Sequence, residues 1–600
     1  MKWDIDTGDS EPGIYVQKIT FNDESTVSDI GRNDIIVFVG ANNVGKSQTL
    51  RDIYHGLGDE KVSILKDIHA YKSGQPKDVI ELVKSICSID QFSQYLLMGK
   101  NVSITPNNSN IDYFMSTRCT NHSSLRDLFA CDLDTEKRLT ICSPAPSISP
   151  EDPKTHPIHY VAFDVENRKK FTSYFFKAFH KYICPNRLHS KDIPLVVTDE
   201  EIHFGEEKYH DETERVEAYA DELAKYPMAQ EEGDGVKGFI GILLYLILDF
   251  YKVYLIDEPE AFLHPPQARI MGQMIGELTK GKKQTFISTH SEQLIQGLLE
   301  TASDRVKIVR VTREGHTNHV SVLHAEKLHK VWKDSILKYS NILEGLFCRN
   351  VVLCESDSDC RFYSIINDFL QKENGKYADT FFTYSGGKQR VPVIMEALSA
   401  LDVDTKVIVD FDALNDKTIF QRICKACRMD WNVIENDFKV FSNEINQQLG
   451  TKMKTKKDIQ IGIGQISKKN PNDRYYSDRE IGEIKDLLKS KTYWGILKSV
   501  GKNALPAGQA AQCFDNIDKY AKEHNLFVVP VGELEGFVKK VKVHGPGWVN
   551  DVLSQYGDLH DPVYDEAKKF VKELQLYCAS GQRLPAFRRF RASPHRLSAC

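Results

Sequence analysis

The sequence predicts an α/β chain with two parallel sheets, a P-loop nucleotide-binding domain first and a β-α-β-α-β domain after it. Two observations carry this prediction. Gly40-Ala41-Asn42-Asn43-Val44-Gly45-Lys46-Ser47 is a full match to the pattern GxxxxGK[ST], and it directly follows the apolar run Ile35-Ile36-Val37-Phe38-Val39. Glu355 with Asp359, and later Asp410-Phe411-Asp412, each follow another strand-like apolar run. The first site implies a nucleoside triphosphate. The second implies a divalent metal and a phosphodiester.

The elements follow in order. Residues 35–39 form a continuous β-branched run, which reads as a buried parallel strand. Residues 48–55 read as the helix after the loop. The stretch 56–200 has short helical patterns and a Pro/Ser cluster at 143–147, and it reads as an insertion. Order returns with an acidic helix at 212–223. Then come Gly233-Asp234-Gly235, a long apolar helix, and the strands 253–256 and 285–288. Residues 306–311 and 319–323 alternate like a closing hairpin. A helical connector, 325–346, leads into the second domain. There the strands are 350–354, 380–384 and 406–409, and the helices 361–371 and 390–401 lie between them. A helical, partly basic insertion at about 413–525 precedes the strand 526–530, and a helical and basic tail spans 546–600. The expected domains are therefore 1–340 and 341–600.

Six hundred residues exceed one core, so roughly two to four domains are expected. A formal charge of −6 means that the whole molecule does not attract phosphate, so a nucleic-acid partner needs local basic patches. Two segments qualify. One holds Lys452, Lys454, Lys456 and Lys457, with Lys468, Lys469 and Arg474 beyond. The other holds Arg583, Arg588, Arg589, Arg591 and Arg596, with Phe587 and Phe590 interleaved. The start lacks an apolar secretory core, and residues 239–248, the longest apolar run, reach only about half a membrane span. Thirteen cysteines without framework spacing fit a reducing cytoplasm. Cys424 and Cys427 form a lone CxxC with no second pair or nearby histidine to complete a zinc site.

The P-loop works through its backbone. Gly40, Asn42, Asn43 and Gly45 shape a loop whose N–H groups face phosphate, and the next helix adds its positive dipole end. Lys46 supplies a mobile charge and Ser47 a Mg²⁺ oxygen. Asp257, at the end of an apolar strand, holds Mg²⁺ through water, and Glu258 is placed to act as general base. This acidic pair, with His290 after the next strand, resembles the arrangement of ABC-type ATPases. There the histidine contacts γ-phosphate, and a signature loop, here at Gly235, reaches the nucleotide of a second subunit. The usual serine of that loop is replaced in this region by Asp234. Two composite sites imply a homodimer or higher oligomer.

Carboxylates at the ends of neighbouring parallel strands converge where open α/β sheets bind ligands. A helix starting at Glu355 would put Glu355 and Asp359 on one face. Strand alternation would bring Asp410 and Asp412 to one side while Phe411 packs away. A hard cation, Mg²⁺ or Mn²⁺, is the natural occupant of such a group. Gly386-Gly387-Lys388, after another strand, could contact phosphate.

The glutamate followed by DxD resembles the Toprim fold of topoisomerases, primases and OLD-family nucleases, with Ser356 where a glycine is usual. The resemblance implies Glu355 and Asp410 in catalysis. It implies Asp359, Asp412 and Glu533 as further metal ligands, with Glu535 behind Glu533. It also implies a late lysine at the scissile phosphate, Lys568 or Lys569. An ABC-type ATPase fused to a Toprim domain resembles the OLD family (overcoming lysogenization defect), including the Gabija nuclease subunit and retron-associated effectors. That layout implies an ATP- and Mg²⁺- or Mn²⁺-dependent DNA endonuclease, bacterial, cytoplasmic and oligomeric, often in antiphage defence beside a partner protein or retron. Two other readings stay open. One is a RecF- or SMC-like repair clamp with the second domain as scaffold. The other is a topoisomerase or primase.

Overall fold

The structure is a computed structural model. It describes residues 2–6, 11–89, 92–98, 100–102, 108–116, 123–202, 212–315, 317–323, 341–348, 350–375, 380–400, 403–448, 456–468, 475–488, 493–541, 545 and 547–579. Two compact units divide the chain. One is Met1–Phe347, with which Ala400–Asp402 group, and the other is Cys348–Ser399 with Val403–Cys600.

The first unit is built on a sheet with strand order Thr317–Leu323, Val306–Glu314, Ile35–Val39, Gln284–Ser288, Val253–Asp257 and Ala130–Leu133. Every pair is parallel except the hairpin at the Thr317–Leu323 edge. All residues of Ile35–Val39 and of Gln284–Ser288 are buried, as strands covered on both faces require. A parallel sheet delivers its chain ends to one edge. The P-loop, Asp257 and His290 therefore share that edge, with Gln284–Ser288 lying between the strands of the other two.

A second sheet in this unit has the order Lys2–Asp6, Leu65–Ser73, Gly13–Phe21 and Thr26–Val27. Gln284 ties the two sheets together: its side chain accepts from Val16 N–H at 2.8 Å and donates to the Val16 carbonyl at 2.8 Å. The stretch 56–200 is thus not wholly an insertion. Leu65–Ser73 is a strand of this sheet, and Ala130–Leu133 is the edge strand of the central one. Ala130–Leu133 has only four residues, too few to show a period. Leu65–Ser73 hides its character behind Lys72, which is fully buried and donates to the carbonyls of Phe114 and Ser116.

The second unit has the parallel order Thr380–Tyr384, Asn350–Cys354, Thr405–Val409 and Leu526–Val528. The chain leaves Asn350–Cys354 for one side and returns to the other, so the switch point lies between Asn350–Cys354 and Thr405–Val409. A crevice at their C-terminal ends follows from this topology. Phe362, Tyr363, Phe537, Trp548 and Phe570 pack beneath it in one core. Between Thr405–Val409 and Leu526–Val528 the chain is helical, including Trp431–Gln447, Tyr493–Val500 and Gln509–Glu523.

Much of the connector expected at 325–346 lies outside the described residues, and Asn341–Leu346 is a 3-10 turn. Lys452, Lys454, Lys469, Arg474 and the arginines from Arg583 to Arg596 also lie outside them. Lys456 and Lys457 are exposed at the start of helix Lys456–Ser467, and Lys468 is exposed just past its end. No helix among the described residues is long and apolar enough to cross a membrane.

Helices Pro265–Leu278 and Glu292–Ala302 flank the central sheet and cross through glycines. A Cβ at Gly297 would overlap the carbonyl oxygen of Arg269. Gly297→Ala should therefore cost about 1–3 kcal/mol despite the better helix propensity of alanine. Gly238→Ala, in a helix where a Cβ meets nothing within 4 Å, should cost nothing. Urea denaturation of both variants checks the contrast.

Candidate nucleotide and metal sites

Helix Lys46–Leu57 begins inside the phosphate loop, and its N-cap, Gly45, has φ 95°. Gly40 has φ 143°, and a Cβ there would overlap the carbonyl of Val311 on the neighbouring strand. Only glycine lets the loop turn this tightly against the sheet. The side chain of Asn318 donates to the carbonyl of Val44 and steadies the loop from the hairpin strand. Lys46 is 4% exposed, and its Nζ donates to the carbonyls of Gly40 at 3.0 Å and Ala41 at 2.9 Å. Burial pulls its pKa down to about 8, against the opposing charges of Glu258, Asp257 and Glu260. Asn42 and Asn43 stand exposed on the loop, and Ser47 is the second residue of the helix.

Asp257 accepts from the Ser288 hydroxyl on the adjacent strand. Glu258 sits at φ 47°, an uncommon conformation for a non-glycine residue. Its N–H bonds the Ser288 carbonyl at 3.0 Å, and its own carbonyl accepts from buried Arg138 at 3.0 Å. The turn thereby aims the Glu258 carboxylate at His290, whose Nε2 lies 3.5 Å from Oε1. Burial, aided by the charge of Lys46, lowers the His290 pKa to about 4. At neutral pH this imidazole is uncharged.

Two residues of this site escaped the sequence reading. Glu260 accepts from Thr289 Oγ1 at 2.7 Å and from His290 N–H at 2.8 Å, so it holds the histidine's backbone. Arg138 comes from the stretch read as an insertion. Gly235 follows the N-cap Gly233. It is in the first turn of helix Asp234–Ile247, where a Cβ would overlap the carbonyl of Phe262.

In the second unit, Glu355, Asp410 and Asp412 can each bring an oxygen within 4.8 Å of the others. The Asp410 N–H donates to Glu355 Oε1 at 3.0 Å, so the two strand ends are joined directly. Val409 ends its strand, and Asp410 opens the 3-10 turn Phe411–Asn415. That turn, not strand alternation, puts Asp412 beside Asp410. Phe411 is buried and stacks on Phe514 at 4.9 Å.

Helix Asp357–Glu373 starts after Glu355, with Ser356 as N-cap. Asp359 closes a capping box: its Oδ2 accepts from Ser356 N–H at 2.8 Å and from Ser356 Oγ at 2.9 Å. Serine at position 356 thus has a structural reason. Asp359 is outside the clustered three and does not share a helix face with Glu355.

The lysines that meet the cluster are Lys388 and Lys498. Lys388 Nζ lies 3.0 Å from Asp412 Oδ1 and donates to the Asp412 carbonyl at 3.0 Å. Gly386 and Gly387, with φ 72° and 118°, fold the loop back, and Gly387 N–H caps the Glu355 carbonyl at 3.0 Å. Lys498 Nζ lies 3.2 Å from Asp412 Oδ2 and 3.8 Å from Glu533 Oε2. Glu533 therefore joins the cluster through Lys498. Glu535 is instead an acceptor for Gly545 N–H at 3.1 Å. Lys568 pairs with Asp565 on its own helix at 3.4 Å and lies over the Phe369 ring, and exposed Lys569 follows it. Lys498 stands in the helical insertion without a motif, so the sequence reading passed over it. The backbone that carries it is held by two glycines: Gly501 and Gly532 both have positive φ, and a Cβ on Gly532 would overlap the Lys498 carbonyl.

Burial pushes the Glu355 carboxyl up to about 7 against the Asp410 N–H donor, with Asp412 and Asp359 adding to the rise and Lys388 opposing it. Burial also raises Asp410 strongly, reinforced by Glu355, Asp359 and Asp412. Such a group is short of positive charge. Its donors are all hard carboxylate oxygens, which fit Mg²⁺ or Mn²⁺.

The family described as AAA ATPase domain matches residues 225–295. The Old nuclease of Escherichia phage P2 is 22% identical over 170 residues, covering 27% of this chain and 28% of that protein. The uncharacterized protein MJECL11 of Methanocaldococcus jannaschii is 40% identical over 72 residues, 12% of this chain and 63% of that protein. The chain thus spans about a quarter of the first relative and less than two thirds of the second. Solved structures matched include an SmcHead bound to the C-winged helix domain of ScpA, with TM-score 0.32 and 14% identity, over 53% of this chain and 100% of that one. The SMC head domain from Thermotoga maritima matches with TM-score 0.26 and 12% identity, over 52% and 98%. The family match and the P-loop geometry make the first unit a P-loop ATPase domain, which binds ATP.

Lys46→Ala should weaken ATP binding at least tenfold, whereas Glu258→Gln should bind ATP and hydrolyse it slowly. Equilibrium binding and phosphate release separate the two effects, and wild-type turnover in Glu258→Gln removes Glu258 as base.

A pH effect follows from Glu355. Its folded pKa, about 7, lies above the ordinary 4.5, so protonation favours the folded state. That contribution is complete below pH 4.5 and is lost as pH rises through about 7. In EDTA, the melting temperature should fall between pH 6 and pH 8, and Glu355→Gln should reduce that fall.

Proposed function

We propose that this chain is an ATP-binding and ATP-hydrolysing, divalent-metal-dependent DNA endonuclease of the OLD type, acting as a cytoplasmic effector of bacterial antiphage defence. The observation that carries this reading is the convergence of Glu355, Asp410 and Asp412 at the switch point of a parallel sheet, with Lys388 and Lys498 against Asp412. The limited identity to the Old nuclease of phage P2 supports it.

Glu355, Asp410 and Asp412, with Glu533 through Lys498, would hold Mg²⁺ or Mn²⁺. Bound there, the cation would acidify a water and offset the charge on the leaving oxygen in phosphodiester hydrolysis. The chain's own groups do the rest. Glu355 and Asp410 orient one another through the Asp410 N–H. Lys498 and Lys388 place positive charge beside the carboxylates, where a phosphodiester oxygen would otherwise be repelled. In the ATPase unit, Glu258 orients the attacking water, and neutral His290 can donate to the γ-phosphate. Gly235, at a helix N-terminus, faces the nucleotide of a second copy in a homodimer. A defence partner protein or retron complex would set when cleavage occurs.

Plasmid incubated with Mg²⁺ or Mn²⁺, with and without ATP, tests the proposal. Wild-type protein should nick or linearise the DNA. Asp410→Ala should abolish cleavage, a loss of at least about a thousandfold, and still bind ATP. Undiminished cleavage by this variant overturns the metal assignment. ATP hydrolysis without any cleavage favours a RecF- or SMC-like clamp instead.

A further inference from the structure

The turn that carries Glu258 is strained, and a buried cation holds it. A non-glycine residue in the left-handed region costs free energy and persists only where its surroundings fix it. Glu258 has φ 47°. Its N–H bonds the Ser288 carbonyl at 3.0 Å, and its carbonyl accepts from the Ala261 N–H at 3.0 Å. The other acceptor site of that carbonyl is taken by Nη1 of Arg138, at 3.0 Å and 120 residues away in sequence.

Arg138 is 2% exposed. Burying a guanidinium is costly, so its bonds are informative. Nη2 donates to the hydroxyl of Thr135 on its own helix at 2.9 Å. Among the described residues, its one hydrogen bond outside that helix is the one to the Glu258 carbonyl. Burial pulls its pKa down, against the charges of Asp257, Glu260, Asp134 and Glu258. The cation thus sits among carboxylates, yet its reach ends on a peptide carbonyl. Its backbone is fixed as firmly. Helix Thr135–Thr140 is capped by the Asp134 side chain, which accepts from the Lys137 N–H at 2.8 Å. A Cβ on Gly241 would lie 2.3 Å from the Arg138 carbonyl oxygen, so helix Asp234–Ile247 packs directly against it. Cys142 Sγ donates to the Lys237 carbonyl of the same helix at 3.2 Å.

We infer that Arg138 is a positioning residue of ATP hydrolysis: its bond to the Glu258 carbonyl holds the strained turn and so keeps the Glu258 carboxylate beside His290. Without that donor the turn relaxes toward ordinary φ, and the carboxylate leaves its line. A displacement of about 1 Å at a reacting group costs on the order of a hundredfold in rate. The phosphate loop follows a different strand, so nucleotide binding does not depend on this turn.

The inference rests on Glu258 acting on the attacking water in the proposed function, so the test separates the two. The full chain is assayed for ATP hydrolysis by phosphate release and for ATP binding at equilibrium. Arg138→Met should lower kcat at least about tenfold and leave the ATP Kd within about twofold. Arg138→Lys, which keeps a donor for the carbonyl, should recover most of the rate. In the Glu258→Gln background, Arg138→Met should slow hydrolysis no further, because a residue that acts through Glu258 has nothing left to position. Thr135→Val, which frees the guanidinium without emptying the core, runs the same comparison if Arg138→Met does not fold. Equal loss in both backgrounds assigns Arg138 to general packing and overturns its role. Arg138→Lys as slow as Arg138→Met overturns it as well. A wild-type rate in Arg138→Met, with slow hydrolysis in Glu258→Gln, overturns the role of Arg138 and leaves the base standing. An ATP Kd raised about tenfold or more in Arg138→Met makes Arg138 a nucleotide contact and overturns its positioning role. Wild-type turnover in Glu258→Gln overturns the base itself.

Discussion

A strand in a parallel sheet must be followed by a crossover, so every strand of such a sheet finishes on the same edge. Both units of this protein depend on that constraint. In the first, it brings together the ends of Ile35–Val39, Val253–Asp257 and Gln284–Ser288, with their phosphate loop, acidic pair and histidine. In the second, it brings together the ends of Asn350–Cys354 and Thr405–Val409, with their carboxylates. Residues distant in sequence become neighbours because of chain direction. The Asp410 N–H on the Glu355 carboxylate is the shortest expression of it.

Bringing polar groups to one edge also requires backbone segments to approach closely, and glycine is how this chain permits it. Gly40 passes under the Val311 carbonyl, and Gly235 passes under that of Phe262. In the second unit, Gly501 and Gly532 interlock at the end of Tyr493–Val500, each with positive φ. That interlock fixes the backbone from which Lys498 reaches Asp412 and Glu533. The long helical insertion is therefore part of the site, since one of its helices supplies a cation to the carboxylates.

These facts explain what could be read in advance. The P-loop, the Asp257-Glu258 pair and the Asp410-Phe411-Asp412 run were legible because each directly follows a buried strand with a strong apolar signal. The α/β class and the parallel order of the second sheet were legible for the same reason. Arg138 and Lys498 were not. Each is a cation brought in from a helix that no motif marks, and only tertiary packing selects it from many similar residues. Glu260 lay in plain view beside the acidic pair, but its task is to hold backbone and hydroxyl donors, which local sequence does not announce. Asp359 shows the opposite error. Its spacing from Glu355 suggested a shared helix face, yet the helix begins at Asp357, and the carboxylate caps it.

The two sites solve opposite electrostatic problems with the same architecture. The nucleotide loop gathers N–H dipoles and a buried lysine whose pKa burial has pulled down to about 8, in spite of the charges of Glu258, Asp257 and Glu260. The second crevice gathers carboxylates that outnumber Lys388 and Lys498, and Glu355 rises to about 7 for want of compensation. Burial alone would push such groups toward neutrality. The lysines do not cancel the excess, because both are spent mainly on Asp412, at one side of the cluster. Glu355 and Asp410 are joined by a backbone donor, the Asp410 N–H on Glu355 Oε1. An environment that holds a charge deficit in place, when pairing could have removed it, is arranged for a mobile counter-charge. For the first unit that counter-charge is a phosphate, and for the second it is the cation of the proposed function.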